Sequence, residues 1–183
     1  MITSFTRRHV LEDHIAGFGV AANPHHLSVL RRPVIFSVLA HAGHESHVAG
    51  ALAEMEEVSV RRCGPAEWLL VSEAIAPESL VRDLAAIGAG RASFLEQSNG
   101  RVVMSLSGPK VRAILAKCTA VDVHPDVFAL GSSTNTLFCH VPVNLSRVDH
   151  DRFEIIVMRS YAGFVFDEVM EMGREYALTA GFA

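Results

Sequence analysis

The sequence predicts an α+β fold of two pseudo-symmetric halves, each reading β-α-β-β-α, about residues 30–92 and 93–180 of a single domain of 183 residues. Three observations predict it. Residues 101–118, RVVMSLSGPKVRAILAKC, run from a short apolar strand directly into an amphipathic helix. Val102, Val103, Met104 and Leu106 are too few for a helix, whereas Val111, Ile114, Leu115 and Cys118 recur at i, i+3, i+4 and i+7. The order strand, helix, strand, strand, helix is then met twice along the chain. Finally, Leu39 matches Leu106 at an offset of 67, and Trp68 matches Phe153 at an offset of 85, so the second half holds 18 extra residues. Residues 118–135, CTAVDVHPDVFALGSSTN, are a turn-rich stretch of that length and read as an insertion loop.

Taken in order, residues 1–30 form an irregular arm, with Asn23-Pro24 as a turn and an extended piece around Leu27 to Leu30. Val34 to Leu39 is a strand. A helix from His44 to Met55 carries Val48, Ala51, Leu52 and Met55 on one face. Val58 to Arg62 is extended, Cys63-Gly64-Pro65 turns, and Trp68 to Val71 is a second apolar strand. Pro77 opens a helix whose buried side is Leu80, Val81, Leu84 and Ile87, and Gly88 ends it. Phe94 to Gln97 leads through a turn at Asn99-Gly100 into the 101–118 unit, where Ser107 is the expected helix cap. Thr136 to Val148 is extended, with a bulge or an edge position implied by Pro142. Phe153 to Met158 is a buried strand. Ser160 caps a last helix with Tyr161, Phe164, Val165, Val169, Met172 and Tyr176 facing the core, and Asp167, Glu171, Arg174 and Glu175 facing out.

Composition bounds the function. Half of the residues are hydrophobic and the mean hydropathy is +0.28, high for a monomer of this size and expected of a subunit with a buried face. The net charge of −4, scattered basic residues and few aromatics leave no footprint for nucleic acid. No stretch has the ~20 apolar residues of a membrane span. Arg7-Arg8 is followed by no proper export-signal core, and Glu12 and Asp13 precede the apolar run Ile15 to Ala22. Cys63, Cys118 and Cys139 are odd in number and widely spaced, which fits a reducing compartment and neither a disulfide framework nor a Cys-x-x-Cys zinc site. A cytoplasmic protein is expected.

Histidine carries the case for an enzyme. Of the 10 histidines, His41, His44 and His47 cluster with Glu45, where neutral imidazoles could gather a metal. His44 and His47 are three apart rather than four as in zinc hydrolases, and His44 shares a face with Val48 and Leu52. Partly buried or interface histidines are the simpler reading, and it holds more strongly for the isolated His124 and His140. The Ser107-Gly108-Pro109-Lys110 corner could offer backbone amides to an anion, but lacks a Gly-rich loop and reads as a cap. Trp68 could stack on a pterin or flavin, but reads as a core or interface anchor. Cys118 reads as a small core residue. The residues define no catalytic, cofactor-binding or metal site.

A resemblance adds to this. Cys63-Gly64-Pro65-Ala66-Glu67-Trp68-Leu69-Leu70 resembles the Gly-Pro-Asp-Glu-Trp-Leu-Leu motif of the γ subunit family of heterotetrameric sarcosine oxidases, with Ala66 in place of the Asp. In the second half the same family is matched by Leu106-Ser107-Gly108-Pro109-Lys110, Asp122, His124-Pro125, Phe128, Gly131, Thr136-Leu137, Val143, Leu145, Arg147, Phe153-Glu154 and Arg159-Ser160-Tyr161-Ala162. The match runs in order over residues 58–176, while the first 57 are only loosely similar.

The resemblance implies a fold like the folate-binding domain of the glycine-cleavage aminomethyltransferase, two ferredoxin-like halves. It implies an accessory chain without a cofactor of its own, partnered by α, β and δ subunits that hold FAD, FMN, NAD and a tetrahydrofolate site. Such complexes oxidise sarcosine or related N-methyl amino acids and pass the one-carbon unit to tetrahydrofolate or release it as formaldehyde. In the aminomethyltransferases a Gly-rich strand ends in paired aspartates. Here the corresponding Val141-Pro142-Val143-Asn144-Leu145 has no carboxylate, and Asp149 and Asp151 lie just beyond, as turn formers around His150. The alternative is a free-standing folate-binding or aminomethyltransferase-like one-carbon protein. A subunit should be poorly soluble alone, and a folate protein stable and ligand-binding.

Overall fold

The computed structural model describes residues 8–18 and 23–183. Arg7 and the end of the Ile15 to Ala22 run lie outside them. The elements in chain order are α1 (Glu12–Ile15), β1 (His26–Val29), β2 (Val34–Ala40), α2 (Glu45–Ala53), β3 (Ser59–Arg62), β4 (Glu67–Ser72), α3 (Pro77–Gly88), β5 (Ala92–Glu96), β6 (Arg101–Ser107), α4 (Val111–Leu115), β7 (Ser133–Phe138), β8 (Val141–Asp149), β9 (Arg152–Met158), α5 (Ala162–Gly173) and β10 (Thr179–Phe182), with 3₁₀ turns on both sides of α5.

The strands form two sheets. One has four strands in the order β3-β4-β2-β5, all antiparallel. The other has six, β10-β1-β6-β9-β8-β7, antiparallel except where β1 lies parallel to β10. The result is an α+β fold. β2 and β4 alternate between two environments, as period-2 strands must. Val34, Phe36 and Val38 of β2 and Trp68 and Leu70 of β4 pack under α2 and α3, on Val48, Leu52, Leu80 and Leu84. Their other face gives Ile35, Leu69 and Val71, which meet Val103 of β6, Ile156 of β9 and Leu30. The six-stranded sheet packs its outer face, including Met104, Leu106, Phe153, Ile155 and Val157, against Ile114, Leu115, Val165, Phe166 and Val169 of α4 and α5. Two sheets thus lie face to face between two helical layers.

Several sequence-based expectations are corrected. Phe94 to Gln97 does not lead a second repeat: β5 pairs with β2 and closes the edge of the first sheet. Thr136 to Val148 is a hairpin rather than one extended stretch. It reverses at Cys139 and His140, both left-handed with φ 46° and 71°, as a two-residue turn between twisted strands requires. Pro142 sits at the start of β8, where only β7 pairs with it, and the irregular register falls between Arg147 and Asp149. Ser107 caps nothing. The helix begins at Val111, and the Ser107 hydroxyl donates instead to the His26 carbonyl.

Ser160 gives no capping bond either. Phe164 is half-exposed, because it lies two residues from both Ala162 and Phe166 and so on the far side of α5. Tyr161 is exposed in the turn before the helix, and Val81 stands one position off the Leu80 and Leu84 stripe. The extended piece of the arm is strand β1, one residue earlier than read, whereas the single turn α1 and strand β10 were unforeseen. Leu27 and Val29 reach the core only because β1 slots between β6 and β10.

Candidate functional site

The histidine cluster is dispersed among separate partners. His41, just after β2, bonds through Nδ1 to the Gly90 carbonyl at 3.1 Å and through Nε2 to Ser93 Oγ at 3.0 Å. His47 accepts from Arg91 Nη1 at 3.0 Å, and Glu45 accepts the Gly43 N–H at 3.2 Å. The backbone amides of residues 45 and 43 hold the Glu45 carboxyl below its usual range. His41 and His47 thus tie the α2 entrance to the α3–β5 connection, while Glu45 closes its own turn. Among the described residues no three His, Cys, Asp or Glu side chains converge as a metal-binding group.

The 149–152 turn is a clasp. Asp149 accepts the His150 N–H at 2.7 Å, and Asp151 meets Arg112 Nη1 at 2.5 Å. The Arg112 guanidinium pulls the Asp151 carboxyl below its usual range and also bonds the His150 carbonyl. Arg147, 6% exposed, donates to the Phe128 carbonyl at 2.9 Å and so fastens the 118–135 loop. That loop holds Phe128 in the core and leaves Val127 and Leu130 in water.

The Ser107 to Lys110 corner is filled by the arm. Gly108 has φ +124°, and a Cβ there would collide with the Pro24 carbonyl and lie 2.9 Å from the His25 Cα. Trp68 is buried in the core under α2 and α3, away from any ligand surface. His124 is a surface residue whose ring accepts the Asp126 N–H, and His140 occupies the β7–β8 turn.

Sequence reasoning missed the polar seam between the sheets. Arg61, 5% exposed, meets Glu154 at 2.5 Å from the opposite sheet. Asn144, 2% exposed, donates to the Arg62 carbonyl at 3.2 Å and to Asn135 Oδ1 at 3.0 Å. Asn135 reaches the Cys63 carbonyl, and Ser133 Oγ accepts the Arg62 N–H at 2.6 Å. The signal was present: Glu154 interrupts the run FEIIVM, and a charge inside an apolar strand needs a partner.

Among the described residues there are open grooves on either layer. One, of about 370 Å³, lies on the four-stranded sheet beside Ser37, Leu39, Glu67, Ser93 and Leu95. Another, of about 500 Å³, runs between α5 and residues 177–179, and its wall at Gly17 and Phe18 leads into residues outside the described set. Neither gathers a nucleophile with a base. No helix among the described residues is long and apolar enough to cross a membrane.

The arrangement defines a class first: two α/β layers joined sheet to sheet, the fold seen in aminomethyltransferase T from Bartonella henselae. That structure superposes with a TM-score of 0.63 at 14% identity, over 95% of this chain and 50% of that one. A chain of the heterotetrameric sarcosine oxidase from Corynebacterium sp. U-96, solved with pyrrole 2-carboxylate, superposes more closely. Its TM-score is 0.80 at 23% identity, over 93% of this chain and 96% of that one. In sequence, the sarcosine oxidase subunit gamma of Corynebacterium sp. (strain P-1) is 30% identical over 148 residues, 78% of this chain and 71% of that protein. The Arthrobacter sp. subunit gamma is 34% identical over 112 residues, and the match spans about half of its length, 52%. Residues 31–173 match the sarcosine oxidase gamma subunit family as a whole, and the chain belongs to that family.

Proposed function

We propose that this chain is the accessory γ subunit of a heterotetrameric sarcosine oxidase-like complex, which oxidatively demethylates sarcosine or a related N-methyl amino acid. The observation that carries the reading is the family match over residues 31–173. In this reading FAD, FMN, NAD and tetrahydrofolate belong to α, β and δ partners in the cytoplasm, and this chain contributes surface rather than chemistry. Its apolar side chains in water support that role: Leu39, Leu95, Leu130, Leu137 and Met158 are each more than half exposed, enough to make a lone chain sticky. We also read the two β-α-β-β-α-β paths as an ancient duplication, with β1 and β7 added to the second.

A native pull-down of the tagged chain from its own cells tests the function. A yellow eluate of several subunits that oxidises N-methylglycine is expected. Recovery of a colourless, soluble, single chain would overturn the reading, and a folate titration by calorimetry would then examine the free-standing one-carbon alternative.

A further inference from the structure

Cys118 stands at the start of the 118–135 loop, and Cys139 in the β7–β8 turn that follows β7. Thr119 bridges Phe138 in antiparallel register, which sets Cys118 directly opposite Cys139, and the Cys139 N–H donates to the Cys118 carbonyl at 2.8 Å. A hydrogen-bonded antiparallel pair holds its Cα atoms about 5.5 Å apart, inside the range of about 4.4–6.8 Å that a disulfide spans. Cys139 sits in the two-residue turn between β7 and β8. Its left-handed backbone, φ 46°, costs energy in any residue with a Cβ. The thiols differ in access: Cys118 is 6% exposed and donates to the Ile114 carbonyl, whereas Cys139 is partly open to solvent. Burial raises both thiols, and the more open Cys139 is the one that peroxide reaches first.

We propose that Cys118 and Cys139 form a dithiol that hydrogen peroxide closes into a disulfide across the base of the 118–139 loop. The sulfur of Cys139 attacks peroxide: an S–O bond forms, the O–O bond breaks and one water leaves. The sulfur of Cys118 then attacks the sulfenic acid. An S–S bond forms, the S–O bond breaks, and hydroxide leaves as a second water with the Cys118 proton. Two thiols lose two electrons and two protons, and peroxide is reduced to two waters. An oxidase passing electrons to dioxygen supplies this oxidant. That source rests on the proposed function, whereas the thiol chemistry does not.

The test therefore uses added peroxide. The full chain, in whatever assembly it is purified, is treated with hydrogen peroxide, quenched, alkylated under denaturing conditions and mapped by peptide mass spectrometry. The expected result is a Cys118–Cys139 cross-linked peptide with two hydrogens lost, while Cys63, wedged between the sheets, stays alkylated. In Cys118→Ser, Cys139 stops at a sulfenic acid trapped by dimedone. Should that variant not fold, the wild-type map decides alone. Over-oxidation of Cys139 with Cys118 still alkylated, cross-links only between chains, or no oxidation of either would each overturn the proposal.

Discussion

Glu154→Gln isolates what joins the two sheets. Arg61 is 5% exposed and Glu154 is its ion-pair partner from the facing sheet, 2.5 Å away. Burial lowers the affinity of the Arg61 guanidinium for its proton, and the attraction of Glu154 only partly offsets this. Neutralising the carboxylate leaves a buried cation without its counter-charge, a change that costs about 3–5 kcal/mol. The Glu154 side chain is 15% exposed, so water can soften the loss and the lower end, about 3 kcal/mol, is expected. That is a large part of the ~5–15 kcal/mol that holds a domain together. It would raise the unfolded fraction about a hundredfold. Urea unfolding measures it, with Trp68, the single tryptophan, reporting on the four-stranded layer. Replacing both partners, Arg61→Met with Glu154→Leu, should recover most of the loss, because apolar contact needs no desolvated charge. A cost for Glu154→Gln below about 1 kcal/mol, the range of exposed pairs, would refute the reasoning. So would a double variant no more stable than the single.

Gly108→Ala should destabilise by about 1–3 kcal/mol, through its φ of +124° and the collision with the arm at Pro24, and thermal unfolding would show it. Gly173→Ala drives a Cβ to 2.6 Å from that of Leu178, and a cost of about 1–3 kcal/mol in the same assay is expected from overpacking. Asp151 has its folded carboxyl lowered by Arg112, so its contribution is full above the unfolded value of about 3.9 and fades as pH falls through the lower folded one. Asp151→Asn should cost about 0.2–1 kcal/mol at neutral pH, since the side chain is 35% exposed, and the gap to wild type should close in urea titrations below about pH 4. Leu95→Asp should leave the melting temperature unchanged and weaken co-purification of the subunits of the proposed complex about tenfold, if the groove beside Leu39 is covered there.

The strands most plainly legible in the sequence are those buried on both faces. β2, β4, β6 and β9 each lie between a helical layer and the opposite sheet, so their apolar residues are consecutive and unmistakable. β1 was read only as a short extended piece and β10 not at all; each is four residues, and the pairing between residues 26–29 and 179–182 is recorded in no local pattern. The helix faces failed by one step at Val81 and by half a turn at Phe164, positions where an apolar residue reaches water rather than core. The histidine cluster was visible as spacing, but its partners, Gly90, Ser93 and Arg91, come from 44 to 52 residues downstream.

The seam explains why the two layers hold one arrangement. The two helix-covered cores are large and apolar, but among the described residues the junction between the sheets has only six buried apolar residues, Leu30, Ile35, Leu69, Val71, Val103 and Ile156. Apolar packing is non-directional and would tolerate sliding of one sheet over the other. Directional bonds flank that small patch instead. Arg61 meets Glu154, Asn144 holds the Arg62 carbonyl, and Ser133 both accepts from and donates to the Arg62 backbone. A slip of one residue at β3 would strand a buried guanidinium and a buried amide together, each at a cost that new apolar packing in so small a patch could not offset. The end of β3 therefore fixes how the four-stranded layer sits on β7, β8 and β9. It fixes equally which apolar side chains, Leu39 and Leu95 on one sheet and Leu137 and Met158 on the other, are left facing water for a partner to cover.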